Sequence, residues 1–296
     1  MSHFFGIECG AIPEKTRVVG LHGVEGISKP YEFELLLHMD EDSSLAFEAG
    51  KAIGKRAKLS FYDVHGQRGQ SIHGLIAAVE LIEALPEGPV FRAVLVPELW
   101  WLSLTRHSRI FVELSVPDII KEILKSGGIT SDKFRFVLEN EGRDFKPLDH
   151  VCQYQESDLD FISRWMEQEG MYYFFEQDGE LEKLVITDTR TVLDKGNAET
   201  KLYVPSVGAT GGLSDAFESF ACRYTAVPTS VRICDYDYLR PDLEILGEAS
   251  PDHSQALLTS GVSSHRANVK TKGEADRFAK VRTQELRARS LVYHGE

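Results

Sequence analysis

The sequence predicts a β-rich α+β fold, and three observations carry that reading. Short runs with strand character recur before Trp100 and again from about Leu202, separated by turns containing Gly and Pro. Between them, residues 151–176 follow the order strand, capped amphipathic helix, glycine stop, aromatic strand. A second helical stretch covers residues 273–290.

In chain order, residues 4–9 are a short apolar start. Residues 17–22 and 31–38 read as strands joined by a glycine-rich turn, Gly23-Val24-Glu25-Gly26. The second strand alternates, with Tyr31, Phe33, Leu35 and Leu37 on one face and Glu32 and Glu34 on the other. Residues 58–64 and 72–81 read as strands on either side of His65-Gly66-Gln67-Arg68-Gly69, and residues 90–97 follow Pro86-Glu87-Gly88-Pro89. Such a density of strands and turns predicts a β-barrel or sandwich. Val116-Pro117-Asp118 opens a helix over 118–125, with Ile119, Ile120, Ile123 and Leu124 as its apolar face and Gly127-Gly128 as its stop. Residues 134–138 and 184–188 read as strands.

The stretch 151–176 is the most ordered pattern in the chain. Ser157 and Asp160 have the spacing of a reciprocal helix cap. Phe161, Ile162, Trp165 and Met166 recur on one helical face, which leaves Asp158, Asp160, Arg164, Glu167 and Gln168 for a solvated face. Gly170 supplies a left-handed stop. Met171 to Phe175 suits a buried strand.

Residues 194–200 are polar and read as a loop. Residues 217–225 and 230–237 read as a pair of strands around Val227-Pro228-Thr229. Residues 250–272 lack periodicity and read as a surface excursion. In the helix over 273–290, Ala275, Phe278, Ala279 and Leu286 form a modest apolar stripe, with acids in the first turn and bases in the last, as the helix dipole favours. Residues 291–296 read as the start of a strand.

The chain has 296 residues and a formal net charge of −13. The acidity argues against a nucleic-acid partner and for solubility. Cys9, Cys152, Cys222 and Cys234 are far apart in sequence and read as free thiols in a reducing cytosol. The N-terminus lacks the pattern of a Sec-type signal peptide, and no apolar run reaches the about 18 residues of a membrane span. The expectation is a protein made in the cytoplasm without a membrane anchor.

No catalytic constellation emerges. The nucleophile elbow G-x-S-x-G is missing. Gly50-Lys51-Ala52-Ile53-Gly54-Lys55-Arg56 approaches a phosphate loop, but the glycine spacing is one short and Arg56 stands where Ser or Thr would hold magnesium; a turn before a strand is the better reading. Gly208 to Gly212 reads as a flexible loop. His150 and Cys152, with Asp149, could ligate a metal, yet zinc needs about four ligands and no second cluster is evident. The carboxylates Glu156, Asp158, Asp160, Glu167 and Glu169 fit a cap and a solvated helix face better than a glycosidase pair. Trp100-Trp101 and residues 172–175 belong in core strands or subunit contacts rather than a stacking site. No catalytic residue, cofactor or metal is expected.

Two segments carry a resemblance. Gln153-Tyr154-Gln155-Glu156-Ser157-Asp158-Leu159-Asp160-Phe161, with Trp165, leads to Glu169-Gly170-Met171-Tyr172-Tyr173-Phe174-Phe175-Glu176. This resembles the signature of VgrG, the trimeric spike of bacterial type VI secretion systems, related to the baseplate hubs of contractile phage tails. SKPYEFELLL, HGLIAAVE and RAVLVPELWWLSLTRHSRIFVELSVPDIIKEIL are similar to successive landmarks of the first VgrG barrel, and Asp235-Tyr236-Asp237 with Pro241 to one in the second. Residues 147–152 depart from the family by lacking its basic or aromatic residues.

The resemblance implies two related β-barrel domains with an α+β middle domain: 1–105 the first barrel, 106–190 the middle domain, 191–296 the second barrel with its C-terminal helix, incomplete at its end. The family's OB-fold and β-helix needle have no counterpart in this sequence. It further implies a non-enzymatic hub that adapts a trimeric spike to a hexameric Hcp-like tube, contacts baseplate components and an effector or adaptor, and leaves the cell by contraction. A hub of a phage tail or an extracellular injection particle is the alternative.

Overall fold

The computed structural model describes residues 4–63, 65–139, 145–177, 179, 181–192, 202–203, 216–217, 219–250, 260–265 and 269–295. The chain divides into two compact units, one of residues 1–167 with 171–192 and one of residues 168–170 with 193–296.

The first unit opens with β1 (Phe5–Cys9), β2 (Arg17–Gly26) and β3 (Lys29–His38), then the short helices α1 (Glu41–Ala46) and α2 (Ala49–Ala52). Next come β4 (Arg56–Tyr62), β5 (Arg68–Leu85) and β6 (Gly88–Val96). These six strands form one antiparallel sheet in the order β1-β4-β5-β6-β3-β2. Its edge strands β1 and β2 approach one another, so the sheet curls into a half-barrel. The alternation in β3 holds: Tyr31, Phe33, Leu35 and Leu37 are buried together with Leu59, Ile76 and Leu95 inside the curl. Each such side chain contributes roughly 1.5–3 kcal/mol on burial.

The turn between β2 and β3 differs from the sequence reading. Residues 23–26 remain in strand β2, and the chain reverses at Ile27-Ser28, with Ser28 at φ 58. Gly23 pairs with Phe33 across the ladder, and a Cβ there would stand 2.2 Å from the Phe33 ring. That glycine serves close approach rather than reversal.

A 3-10 turn, Glu98–Ser103, leads from this sheet into β7 (Arg106–Phe111), α3 (Val116–Ser126), β8 (Phe134–Val137), β9 (Val151–Ser157), α4 (Asp158–Glu169), β10 (Tyr172–Glu176) and β11 (Lys183–Thr187). Ser115 caps α3 by accepting from Asp118 N–H, and Ile119, Ile120, Ile123 and Leu124 are buried as the pattern predicts. They share a core with Phe161, Ile162, Trp165 and Met166 of α4 and with Tyr173, Leu184 and Ile186. Strands β10-β11-β8 form one small sheet, and β7 pairs with β9. Phe175 packs against this core and against the half-barrel core.

The second unit has β12 (Leu202–Tyr203), β13 (Ala216–Phe217), β14 (Phe220–Tyr224), β15 (Ser230–Asp235), β16 (Ile245–Ala249), β17 (Gly261–His265), α5 (Lys272–Ser290) and β18 (Leu291–Gly295). The two strands read as a pair are not partners. Strand β14 pairs with β18, and β15 is central between β16, antiparallel, and β17, parallel. The stretch read as an unpatterned excursion therefore contributes β17; its Gly-Val-Ser-Ser-His sequence lies on an edge with every residue exposed, so burial imposes no periodicity. Helix α5 lays Ala275, Phe278 and Ala279 on Val231, Ile233 and Ile245. The loop reading of residues 194–200 lies outside the described residues, as does that of Gly208 to Gly212.

Candidate functional site

The signature stretch builds a polar clamp at the entrance to α4. Ser157 Oγ accepts from the backbone N–H of Asp160 at 3.0 Å and donates to Asp160 Oδ2 at 2.7 Å, the predicted cap. One residue on, Asp158 is turned inward, with a side chain only 2% exposed. The helical period of the sequence places it on the solvated face instead. At the first helical position, however, the side chain lies beside the incoming strands, and periodicity does not yet govern it.

Asp158 is satisfied from β9, from β7 and from the residue just before β7. Gln153 Nε2 donates to its Oδ1 at 2.7 Å, Thr105 Oγ1 donates to Oδ2 at 3.0 Å, and the Arg109 guanidinium pairs with Oδ1. His107 Nδ1 lies 3.0 Å from Oδ1. Fully buried Gln153 also accepts from Arg109 Nε at 3.1 Å and donates to the Glu156 carbonyl. Burial pushes the Asp158 carboxyl up, but the hydrogen bonds from Gln153, His107, Arg109 and Thr105 outweigh it and hold it below the usual carboxylate range.

The remaining letters of the motif follow from a bulge. Across β7 and β9, His107 faces Glu156 and Arg109 faces Gln153, so Tyr154 and Gln155 together oppose Ser108. Gln155 takes φ 49, and Tyr154 is thrown outward, 70% exposed. Glu156 receives both Nε and an Nη of Arg164 at 2.8 and 2.7 Å, while that guanidinium covers the faces of Phe161 and Trp165. Glu169, also read as solvated, is buried. Gly170 ends α4 at φ 77, and the Met171 N–H returns to the Met166 carbonyl. Tyr172 Oη donates to the Thr189 carbonyl, Tyr173 is buried, and Phe174 is half-buried in β10.

A second polar cluster joins β10-β11 to the half-barrel. Buried Tyr31 Oη touches both the His73 carbonyl oxygen and Glu182 Oε2. The other oxygen of Glu182 accepts from the Glu98 N–H at 2.5 Å. Glu98 itself pairs with Lys133 at 2.8 Å and Arg56 at 3.2 Å. The His73 N–H donates to Gln177 Oε1, and Ser28 N–H to the Tyr173 carbonyl. Burial pushes Glu182 up to about 7.

In the second unit, Asp235 accepts from Val269 N–H at 3.1 Å and from Tyr236 N–H. Asp237 accepts from Leu239 N–H and Arg240 Nε, both at 2.9 Å, and forms the turn that carries Pro241. The hydrogen bonds from Arg240 and Leu239 hold its carboxyl below the usual carboxylate range. Tyr236 is exposed. Residues 50–56 form the end of α2 and the turn into β4. His150 is exposed just before β9, and Cys152 is exposed within it.

Apart from exposed Tyr154 and Tyr236, the signature positions thus lie in backbone turns, caps and clamps or pack in a core. The sequence profile described as phage tail baseplate hub (GPD) matches residues 24–296. The chain belongs to that family. Among curated relatives of this hub, the type VI secretion system spike protein VgrG4b of Pseudomonas aeruginosa is 32% identical over 239 residues, 81% of this chain and 28% of that protein. The spike protein VgrG1a of the same organism is 29% identical over 254 residues, 84% of this chain and 38% of that protein. The hub chain spans about a third of the length of these relatives. The tail protein of Neisseria meningitidis has the same fold over 98% of this chain and 78% of its own, with a TM-score of 0.60 and 11% identity. The E. coli c3393 protein, described as a type VI secretion component structurally similar to T4 tail proteins gp27 and gp5, covers 74% of this chain and 56% of its own, with a TM-score of 0.60 and 19% identity.

Sequence reasoning missed the hub's clamp partners Thr105, His107 and Arg109, and the whole Tyr31–Glu182 joint. Their signal is pairing over about fifty and one hundred and fifty residues, which local periodicity does not carry. The one available hint was the density of charge around Thr105, where Arg106, His107 and Arg109 interrupt the apolar alternation.

Proposed function

We infer that this chain is the hub portion of a type VI secretion spike, and that its work is mechanical. The observation that carries the reading is the match to the baseplate hub family over residues 24–296, joined by spike relatives that align with about four fifths of the chain. The polar clusters support it, because each is consumed in holding elements together. In this reading residues 1–105 and 191–296 are related barrels flanking the middle domain 106–190. Three chains close into a ring through heterologous contacts. Two barrels per chain give that ring pseudo-sixfold symmetry, matched to a hexameric Hcp-like tube. Sheath contraction then drives tube and spike outward from the cytoplasm where they assemble, with an effector or adaptor carried along. The sixteen signature residues serve this scaffold and no chemistry.

A second reading, the hub of a phage tail or extracellular injection particle, is favoured by the tail protein whose fold covers nearly all of this chain. Light scattering of the 33.2 kDa chain over a concentration series, with and without hexameric Hcp rings, tests the first. A mass approaching three chains, and a further complex with the rings, is expected. A monomer at every concentration that leaves the rings unbound overturns it.

A further inference from the structure

The Tyr31–Glu182 joint carries one proton fewer than its geometry needs, if Glu182 is ionised. Tyr31 Oη owns a single proton. Yet it stands within hydrogen-bond reach of two acceptors, the His73 carbonyl oxygen and Glu182 Oε2. With a carboxylate at 182, that proton can lie in only one of the two contacts, and the other sets two lone-pair oxygens against each other. A proton on Glu182 Oε2 completes the set. Glu182 donates to Tyr31 Oη, Tyr31 donates to the His73 carbonyl, and Glu182 Oε1 still accepts from the Glu98 N–H.

We propose that Glu182 is held as the neutral acid in this joint, and that its ionisation unlatches β3 and β5 of the half-barrel from the β10–β11 layer. The surroundings agree. Charged and titratable groups reach the pair from every packed element: Glu25 from β2, Arg56 from β4, His73 from β5, Glu98 from the 3-10 turn and Lys133 before β8, with polar Gln177 after β10. The cations Arg56 and Lys133 pair with Glu98; burial pushes the Glu182 carboxyl up, the Glu98 charge adds to that push, and the downward pull of Arg56 is smaller. Burial raises the carboxyl into the neutral range. The latch is therefore closed in mildly acidic solution and weakens as the pH passes through neutrality.

The test combines infrared spectroscopy with stability against pH. At about pH 6, where ordinary carboxyls are ionised, wild-type protein should show a carboxylic-acid carbonyl band that disappears by about pH 8.5. E182Q should lack the band. Its amide can donate to Tyr31 and accept from Glu98, so its thermal midpoint should lose the part of the wild-type decline between those pH values that one released proton accounts for. Should E182Q not fold, Y31F serves: removing the hydroxyl must shift the band frequency. A wild type without the band at about pH 6, a band unmoved in Y31F, or a pH–stability profile parallel in wild type and E182Q each overturns the proposal.

Discussion

A carboxylate taken out of water holds its charge only when the hydrogen bonds it receives exceed the hydration it loses, and Asp158 meets that condition through neighbours on two strands. Replacing it by Asn keeps the shape but leaves Arg109 without its ion-pair partner and one donor of the clamp unmatched. Because Arg109 and His107 retain contact with water, the loss should be about 2 kcal/mol, below the full cost of breaking a buried pair. Denaturant unfolding of D158N measures it; a change under about 0.5 kcal/mol would remove the clamp from the account. The pH dependence has a definite sign. The folded carboxyl sits below its unfolded value of about 3.9, so its contribution is complete above about pH 4 and fades as acid carries the solution down through the folded value. D158N should accordingly lose less stability than wild type on acidification. Tyr154, by contrast, is exposed on the bulge, and Y154S should shift stability by no more than about 0.5 kcal/mol.

At the scale of the element, Gly23 and Phe33 form one unit across β2 and β3. A valine at 23 would drive its branched carbon into the Phe33 ring, so G23V should cost about 1–3 kcal/mol, and F33L in the same protein should restore part of it. A double-mutant cycle on thermal or denaturant unfolding reads this coupling, and strict additivity would refute it. The same pair explains what could be read beforehand. The alternation in β3, the apolar faces of α3 and α4 and the Ser157 cap were legible, because each is a pattern within a few residues. Gly23 reads as a turn in the sequence because a glycine reports only that a side chain would not fit, not whether the obstacle is the chain's own bend or a neighbouring ring. Pairings in the second unit were illegible for a related reason. Strand β15 finds β16 and β17 rather than β14, which precedes it, and α5 packs on β15 and β16 from residues that no local window contains. The candidate site divides likewise: Gln153, Ser157 and Asp158 stood out as a motif, while the roles of Gln153 and Asp158 depended on Thr105, His107 and Arg109, about fifty residues away.

For the whole molecule, the distribution of buried apolar surface sets where stability resides. The first unit has two extensive cores, anchored by fully buried Phe161, Tyr173, Leu35, Leu59 and Ile119. Among the described residues of the second unit, the core is Val231, Ile233, Ile245, Val269 and Phe278 with two alanines. Tyr224, Tyr236, Tyr238, Phe220 and Tyr293 of that unit remain exposed. Opening free energy follows buried contact and protected backbone hydrogen bonds, so amides of β15, β16 and α5 should exchange with deuterium well before those of β3, β6 and α4. In the proposed ring, the second unit would gain burial from neighbouring chains or the tube, since binding that selects the folded state adds to its stability. Hydrogen exchange on the isolated chain and on the chain assembled with Hcp rings separates the two contributions. Protection should rise mainly in residues 219–295 upon assembly and stay level in β3, β6 and α4. Equal protection of both units in the isolated chain would mean that the small core is sufficient by itself, and a rise confined to the first unit would move the assembly contacts to the half-barrel.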